Sequence, residues 1–221
     1  MNKRPEAVLF DLDGTLIDTA PDFVRVLNEL RLKYNRPALP YEAIRVAVSA
    51  GARAMIQVGF PEYAVDSDEF SALRAEFLAN YARGLAQESQ LFVGMDTLLA
   101  HLENESIPWG IVTNKPRIYS EALLAGLHLD HRCQVLVCPD DVSQTKPHPE
   151  PMYLACQQLK VTPAQTIYVG DHIRDIQAGN NAGMTTIAVG FGYIPEHEDI
   201  ADWQANYCAA NVAELRQYLH C

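Results

Sequence analysis

Two aspartates stand two positions apart directly after the first apolar run of the chain. Ala7-Val8-Leu9-Phe10 reads as a buried strand, and Asp11-Leu12-Asp13-Gly14-Thr15 reads as the polar turn that ends it. A structural turn does not need two carboxylates beside an apolar strand end, because a buried charge without a partner is costly. Two carboxylates so placed are therefore candidates for chemistry rather than for structure. Further candidates follow later apolar runs. Thr113 and Asn114 come after Trp109-Gly110-Ile111-Val112, and Lys146, followed by Pro147, comes after Gln134-Val135-Leu136-Val137. Asp171 and Asp175 come after Thr166-Ile167-Tyr168-Val169.

This inventory suits phosphoryl transfer. Several carboxylates at one place repel one another and hold raised pKa values if left alone. A hard divalent cation relieves the repulsion, and Mg²⁺ prefers a few carboxylates with water and phosphate oxygens. The phosphate brings its own negative charge, which a lysine, hydroxyls and backbone N–H groups can meet. The Gly14-Thr15 turn is expected to supply such N–H groups as an anion nest.

The elements that must position these residues alternate. The apolar runs named above, together with Thr185-Thr186-Ile187-Ala188-Val189, are separated by segments of helical period. These cover 95–105, 118–126, 151–159 and 174–182. Strands apolar throughout and alternating with helices imply a parallel sheet covered on both faces, and ligands bind at the carboxyl ends of such strands. Residues 18–90 break the rhythm and hold no convincing strand. Leu27, Leu30, Leu32 and Tyr34 follow one helical pattern, and Phe70, Leu73, Phe77, Leu78 and Tyr81 follow another. Thr19 is the expected N-cap of the first of these helices, with Pro21 and Asp22 in its first turn. The division expected is a catalytic core of residues 1–17 and 91–221 and a helical cap of residues 18–90.

The motifs Phe10-Asp11-Leu12-Asp13-Gly14-Thr15-Leu16, Val112-Thr113-Asn114, Lys146-Pro147 and Gly170-Asp171-His172-Ile173-Arg174-Asp175 resemble, in order, the four motifs of the haloacid dehalogenase superfamily. The resemblance implies an α/β fold: a Rossmann-like, doubly wound parallel sheet with an inserted all-helical cap. It implies Asp11 as the nucleophile, and Asp13 as the acid that protonates the leaving oxygen and then the base that activates water. Thr113, Asn114 and Lys146 would bind phosphate. Mg²⁺ would be bound by Asp11, the Asp13 backbone carbonyl and Asp171. Asp175 would ligate it directly or through water, or would position Lys146; a cap for the following helix is the plain alternative. Founding members that remove halide lack the second aspartate, so Asp13 favours a phosphotransferase. Phosphonate-cleaving members use a cap lysine, and the one lysine between residues 19 and 90 is Lys33, outside the segment that would face the site.

Within the family the chain is similar to the phosphoglycolate phosphatase group. Gly51-Ala52-Arg53-Ala54-Met55, Val112 to Pro116, Lys146 to Pro151 and Gly192-Tyr193-Ile194 are closer to the group that hydrolyses N-acetylmuramic acid 6-phosphate. Arg53 would then reach a substrate carboxylate or hydroxyl, the alternative being a surface arginine. Met55 and Ile56 read as cap core, His172 as a supporting or surface residue, and 193–198 as an exposed loop at the rim. A sugar-phosphate mutase and a non-catalytic phosphate-binding regulator are the rival readings.

Bulk properties agree. The 221 residues are 48% apolar and 20% charged, as in a globular chain with room for one core and an insertion. A net charge of −11 argues against nucleic acid or an anionic membrane as partner and leaves a small phosphorylated metabolite. Residues 1–6 run at once into the acidic motif, with no signal-peptide core. The five cysteines show no metal-ligand spacing, which suits a reducing cytoplasm. Oligomeric state is not written in these features.

Overall fold

The computed structural model describes residues 4–219. Strand β1 (Ala7–Phe10) is followed by a short β2 (Ile17–Asp18) and by four helices: α1 (Ala20–Lys33), α2 (Tyr41–Arg45), α3 (Gly51–Gly59) and α4 (Asp68–Arg83). The chain returns through β3 (Gln90–Leu91) to α5 (Met95–Asn104), β4 (Trp109–Val112), α6 (Arg117–Gly126) and β5 (Leu136–Val137). Then come α7 (Glu150–Leu159), β6 (Thr166–Gly170), α8 (Ile173–Asn181), β7 (Thr185–Val189), β8 (Tyr207–Ala209) and α9 (Val212–Tyr218).

Six strands form one sheet in the order β5-β4-β1-β6-β7-β8, and every pairing in it is parallel. The four residues of β1 are all buried, because the sheet is covered on both sides. Alternate residues serve opposite faces. Val8, Phe10, Trp109, Ile111, Ile167 and Val169 pack with α5, α6 and α9 through Leu98, Leu102, Leu123 and Leu215. Leu9, Val112, Val137 and Tyr168 pack with α7 and α8 through Met152, Ala155, Cys156 and Ala178. The fold is therefore the expected doubly wound α/β sheet, and the chain turns outward in both directions from β1. Strand β8, which pairs with β7, is not apparent in the sequence: Tyr207-Cys208-Ala209 is too short to show a period.

The inserted helices build their own core of Phe23, Leu27, Leu30, Met55, Ile56, Phe60, Phe70, Leu73, Phe77 and Tyr81. Two residues assigned to the apolar face of α1 lie outside it: Leu32 is 60% and Tyr34 42% exposed, because the helix ends against solvent there. Strand pairing is present where none was expected. Asp18 pairs with Gln90, and Ile17 with Leu91, in an antiparallel ladder at the neck of the cap. Pairs this short carry no sequence signal; tertiary position makes them. Thr19 meets the expectation in position but not in hydrogen bonding. It occupies the N-cap position with helical dihedrals, and its side chain makes no cap hydrogen bond. Its hydroxyl donates instead to Asp13 Oδ1 at 2.6 Å. Asp22 is fully buried and accepts hydrogen bonds from the Glu88 and Ser89 amides, both at 3.1 Å, and from Ser89 Oγ at 2.6 Å. It ties the first cap helix to the returning strand.

Candidate active site

The topology explains why distant motifs meet. β1 lies between β4 and β6, so the loops carrying Asp11, Thr113 and Asp171 leave three neighbouring strand ends. Asp11 and Thr113 line a cleft of about 360 Å³, together with Asp13, Asn114, Lys115 and cap residues from α1, α3, α4 and 48–50.

Lys146 reaches the site from the loop after β5 and is buried. Its Nζ donates to Asp11 Oδ1 at 2.7 Å, to the Val112 carbonyl at 2.9 Å and to Tyr168 Oη at 2.8 Å. Asp175 Oδ1 also lies 2.7 Å from it. The ammonium is thus enclosed by the carboxylates it holds. Asp175 serves two ends at once, for its Oδ2 accepts from the His172 amide at 3.1 Å and closes a capping box at the start of α8.

Asp171 is held by three donors. Thr15 Oγ1 donates to Oδ1 at 3.1 Å, and Ser49 Oγ at 3.0 Å and the Tyr193 amide at 2.9 Å donate to Oδ2. The space beside it is tight: a Cβ at Gly14 would collide with the Asp171 carboxylate and the Tyr193 ring, and Gly14 has φ +86°. Glycine is needed there on both counts. The Gly14 amide donates to the Ile17 carbonyl at 3.0 Å, so it closes the turn and does not serve as an anion donor.

The electrostatics follow from burial and pairing. Burial alone would raise the Asp11 carboxyl, but Lys146 and Arg174 outweigh it and hold the group below the ordinary carboxylate range. Asp171 pairs with no cationic side chain among the described residues. Burial first, then the charges of Asp11 and Asp175, push it up to about 7. Asp175 is also raised, by burial and against the pull of Lys146. Asp11, Asp171 and Asp175 each present a carboxylate oxygen within 4.8 Å of the others. Oxygen donors alone, with two of the carboxyls raised, fit a hard divalent cation such as Mg²⁺. Asp13 is not in that cluster by its side chain, and its expected role toward a metal rests on its backbone carbonyl alone.

The Asp13 carboxylate faces the cap. Besides Thr19, its Oδ1 accepts from Lys115 Nζ at 2.9 Å. Lys115 is 8% exposed, donates to Tyr81 Oη at 2.8 Å, and lies 4.8 and 4.7 Å from the Phe23 and Tyr81 ring centroids. Burial would lower this ammonium, but Asp13 and Tyr81 outweigh it and raise its pKa. Thr113 Oγ1 accepts from the Lys115 amide at 3.1 Å, which leaves the hydroxyl proton to donate. Asn114 Nδ2 donates to the Lys146 carbonyl at 3.0 Å and ties the two loops together. Arg53 lies exposed on α3 and faces the cleft.

Several residues of the site were not distinguishable in the sequence. Tyr168 sits inside a core strand and reads as packing. Ser49 lies in a small-residue stretch, and Lys115 and Arg174 neighbour motif residues without a spacing of their own. Tyr193 corrects the expectation of an exposed loop. It is 1% exposed, its hydroxyl accepts from the Thr19 and Ala20 amides at 2.7 and 2.9 Å, and it donates to Asp18 Oδ1 at 2.8 Å. It is the rivet between core and neck, which no local pattern announces. His172 is half-buried at the start of α8, where Nδ1 accepts from the Arg174 amide at 3.2 Å. Burial and Arg174 lower its pKa to about 4.

A parallel sheet whose central strand ends in paired aspartates under a helical cap defines a haloacid dehalogenase-like hydrolase. Residues 8–189 match that family, and the chain belongs to it. Its enzyme class is phosphatase. The chain is 44% identical to the N-acetylmuramic acid 6-phosphate phosphatase of Pseudomonas putida, over 98% of this chain and 96% of that one. It is 41% identical to the phosphoglycolate phosphatase of Xanthomonas campestris, over 96% of this chain and 95% of that one. The crystal structure of a predicted phosphoglycolate phosphatase from Haemophilus somnus superposes with a TM-score of 0.86 at 25% identity, covering 99% of each chain. Among the described residues no helix is long and apolar enough to cross a membrane.

Proposed function

We propose that this enzyme is a Mg²⁺-dependent phosphomonoesterase acting on N-acetylmuramic acid 6-phosphate through an aspartyl-phosphate on Asp11. The observation that carries the reading is the state of Asp11. It lines the cleft, is kept ionised by Lys146 at 2.7 Å, and stands beside two carboxyls with raised pKa. An ionised, fixed carboxylate is a competent nucleophile.

In this mechanism Asp11 attacks phosphorus and the P–O bond to the alcohol breaks. Asp13 carries the proton for the departing oxygen. It then takes a proton from the water that hydrolyses the acyl phosphate, which restores Asp11 and releases inorganic phosphate. The Thr113 hydroxyl donates to a phosphate oxygen. Asp11, Asp171 and Asp175, with the Asp13 carbonyl, would hold Mg²⁺, which would neutralise phosphate charge. The cap helices exclude water from the cleft while Asp11 is phosphorylated.

The sugar phosphate is favoured because the relative at 44% identity bears that name and because the cleft of about 360 Å³ is in the size range of pockets that hold small organic ligands. Phosphoglycolate is the second reading, supported by the relative at 41% identity. The test is phosphate release from both compounds, hexose phosphates and p-nitrophenyl phosphate, with Mg²⁺ and with a chelator. The sugar phosphate should show the highest kcat/KM, and the chelator should abolish release. Release undiminished by the chelator would refute metal dependence; a preference for phosphoglycolate would move the substrate to the second reading.

A further inference from the structure

The cap wall of the cleft carries two arginines, Arg53 on α3 and Arg74 on α4, and both are exposed. Neither guanidinium makes a hydrogen bond or an ion pair among the described residues. Several other arginines find partners within the chain: carboxylates for Arg4 (Glu105), Arg36 (Glu62), Arg117 (Asp141) and Arg132 (Glu103), and backbone carbonyls for Arg31 and Arg45. Arg174 also lines the cleft, but its guanidinium is spent on the Ser49 carbonyl. Arg74 is not placed by chance on its helix. Arg74, Leu78 and Tyr81 stand at i, i+4 and i+7 on α4, one face of the helix, and all three line the cleft.

The phosphate end of the site is on the core, at Asp11 and Thr113, and the free guanidiniums are on the cap. A substrate spanning the cleft would therefore meet positive charge a second time, away from the bond that breaks. A guanidinium presents a planar fork of donors that matches a carboxylate.

We propose that Arg53 and Arg74 form a carboxylate clamp in the cap wall, with Arg74 as a specificity-determining residue, so that the preferred substrates are phosphomonoesters bearing a carboxylate away from the phosphate. The inference rests on the phosphatase reading and narrows its substrate class. It also gives the cap a reason to sit down: the carboxylate supplies the partner that the protein itself withholds from two cations.

Two matched pairs test it. N-acetylmuramic acid 6-phosphate and N-acetylglucosamine 6-phosphate differ only in the lactyl ether and its carboxylate; phosphoglycolate and ethyl phosphate differ in the same sense. Wild-type enzyme with Mg²⁺ should favour the carboxylated member of at least one pair. Arg74→Ala should lower kcat/KM for that member by about 10- to 100-fold more than for its partner, the value of a charge-assisted hydrogen bond. The loss should fall mainly on KM. Arg53→Ala should act in the same direction. Turnover of both members of each pair with equal kcat/KM would overturn the clamp and leave the phosphatase reading standing. Equal losses on both members in Arg74→Ala would also overturn it, since a residue needed for fold or phosphate binding would act on both alike. No turnover of any phosphomonoester would defeat the underlying reading instead.

Discussion

The two walls of the cleft treat charge in opposite ways. On the core side, Asp11, Lys146, Asp171 and Asp175 are buried and bonded to one another or to fixed donors. On the cap side, Arg53 and Arg74 stand exposed without side-chain partners among the described residues. The first arrangement fixes atoms before substrate arrives, which electrostatic catalysis requires, since donors already in place need no rearrangement during reaction. The second leaves affinity to be completed by the substrate. On the functions proposed above, chemistry and recognition are divided between these two walls. Lys115 joins them: it rises from the core loop, pairs with Asp13, and is enclosed by Phe23 and Tyr81 of the cap.

The comparison breaks most visibly if the core wall tolerates change. Asp11→Asn should reduce turnover by at least about 10⁴-fold, because an amide is not a nucleophile. Asp13→Asn should cost about 10²- to 10⁴-fold, in line with a lost general acid–base. Steady-state phosphate release and rapid-quench trapping of phosphoenzyme measure both. Near wild-type turnover in Asp11→Asn would remove it as nucleophile.

Stability gives the next effect. Lys146→Met leaves Asp11 and Asp175 buried without their cation, and breaking a buried pair from one side costs about 3–5 kcal/mol. Urea denaturation should show that loss, whereas the exposed Arg74→Ala should stay within about 0.5 kcal/mol of wild type. A Lys146→Met protein of unchanged stability would mean that the buried pairing contributes nothing to the fold.

A smaller effect concerns pH. Asp171 is raised to about 7 in the folded protein from an ordinary value of 3.8. Between those values the folded state keeps a proton that the unfolded state has lost, so this group makes stability fall as pH rises through the window. Mg²⁺ requires the ionised form and should offset the loss. The rise in Tm produced by Mg²⁺ should therefore be larger at about pH 8 than at about pH 5.5. Equal shifts at both would remove Asp171 from metal binding.

How much of this was legible depended on how local each signal is. Asp11, Asp13, Thr113, Lys146, Asp171 and Asp175 were visible because each follows an apolar strand, and burial on both faces makes such strands apolar throughout. The helical nature of the cap was visible in the spacing of its apolar residues, for the same reason of burial. Tyr168 was not, because an aromatic residue in an apolar strand looks like packing until its hydroxyl is seen to meet Lys146, and Tyr193 was not, because it opens a stretch, 193–198, that reads as an exposed loop until its hydroxyl is seen to meet the Thr19 amide. Thr19 stands at the N-cap position as its place in the sequence implies, but its hydroxyl goes to Asp13, a partner that only the tertiary structure reveals.

The sequence by itself determined the alternating α/β order, the strand-end positions of the acidic and basic motifs, and the mainly helical nature of residues 18–90. Periodicity and strand-end chemistry are properties of neighbours along the chain. The tertiary structure alone decided that β1 lies between β4 and β6, that Lys146 holds Asp11 and Asp175 together, and that Arg53 and Arg74 face the same cleft unpartnered. Those facts are distances between residues far apart in sequence, and only the packing of the sheet and cap sets them.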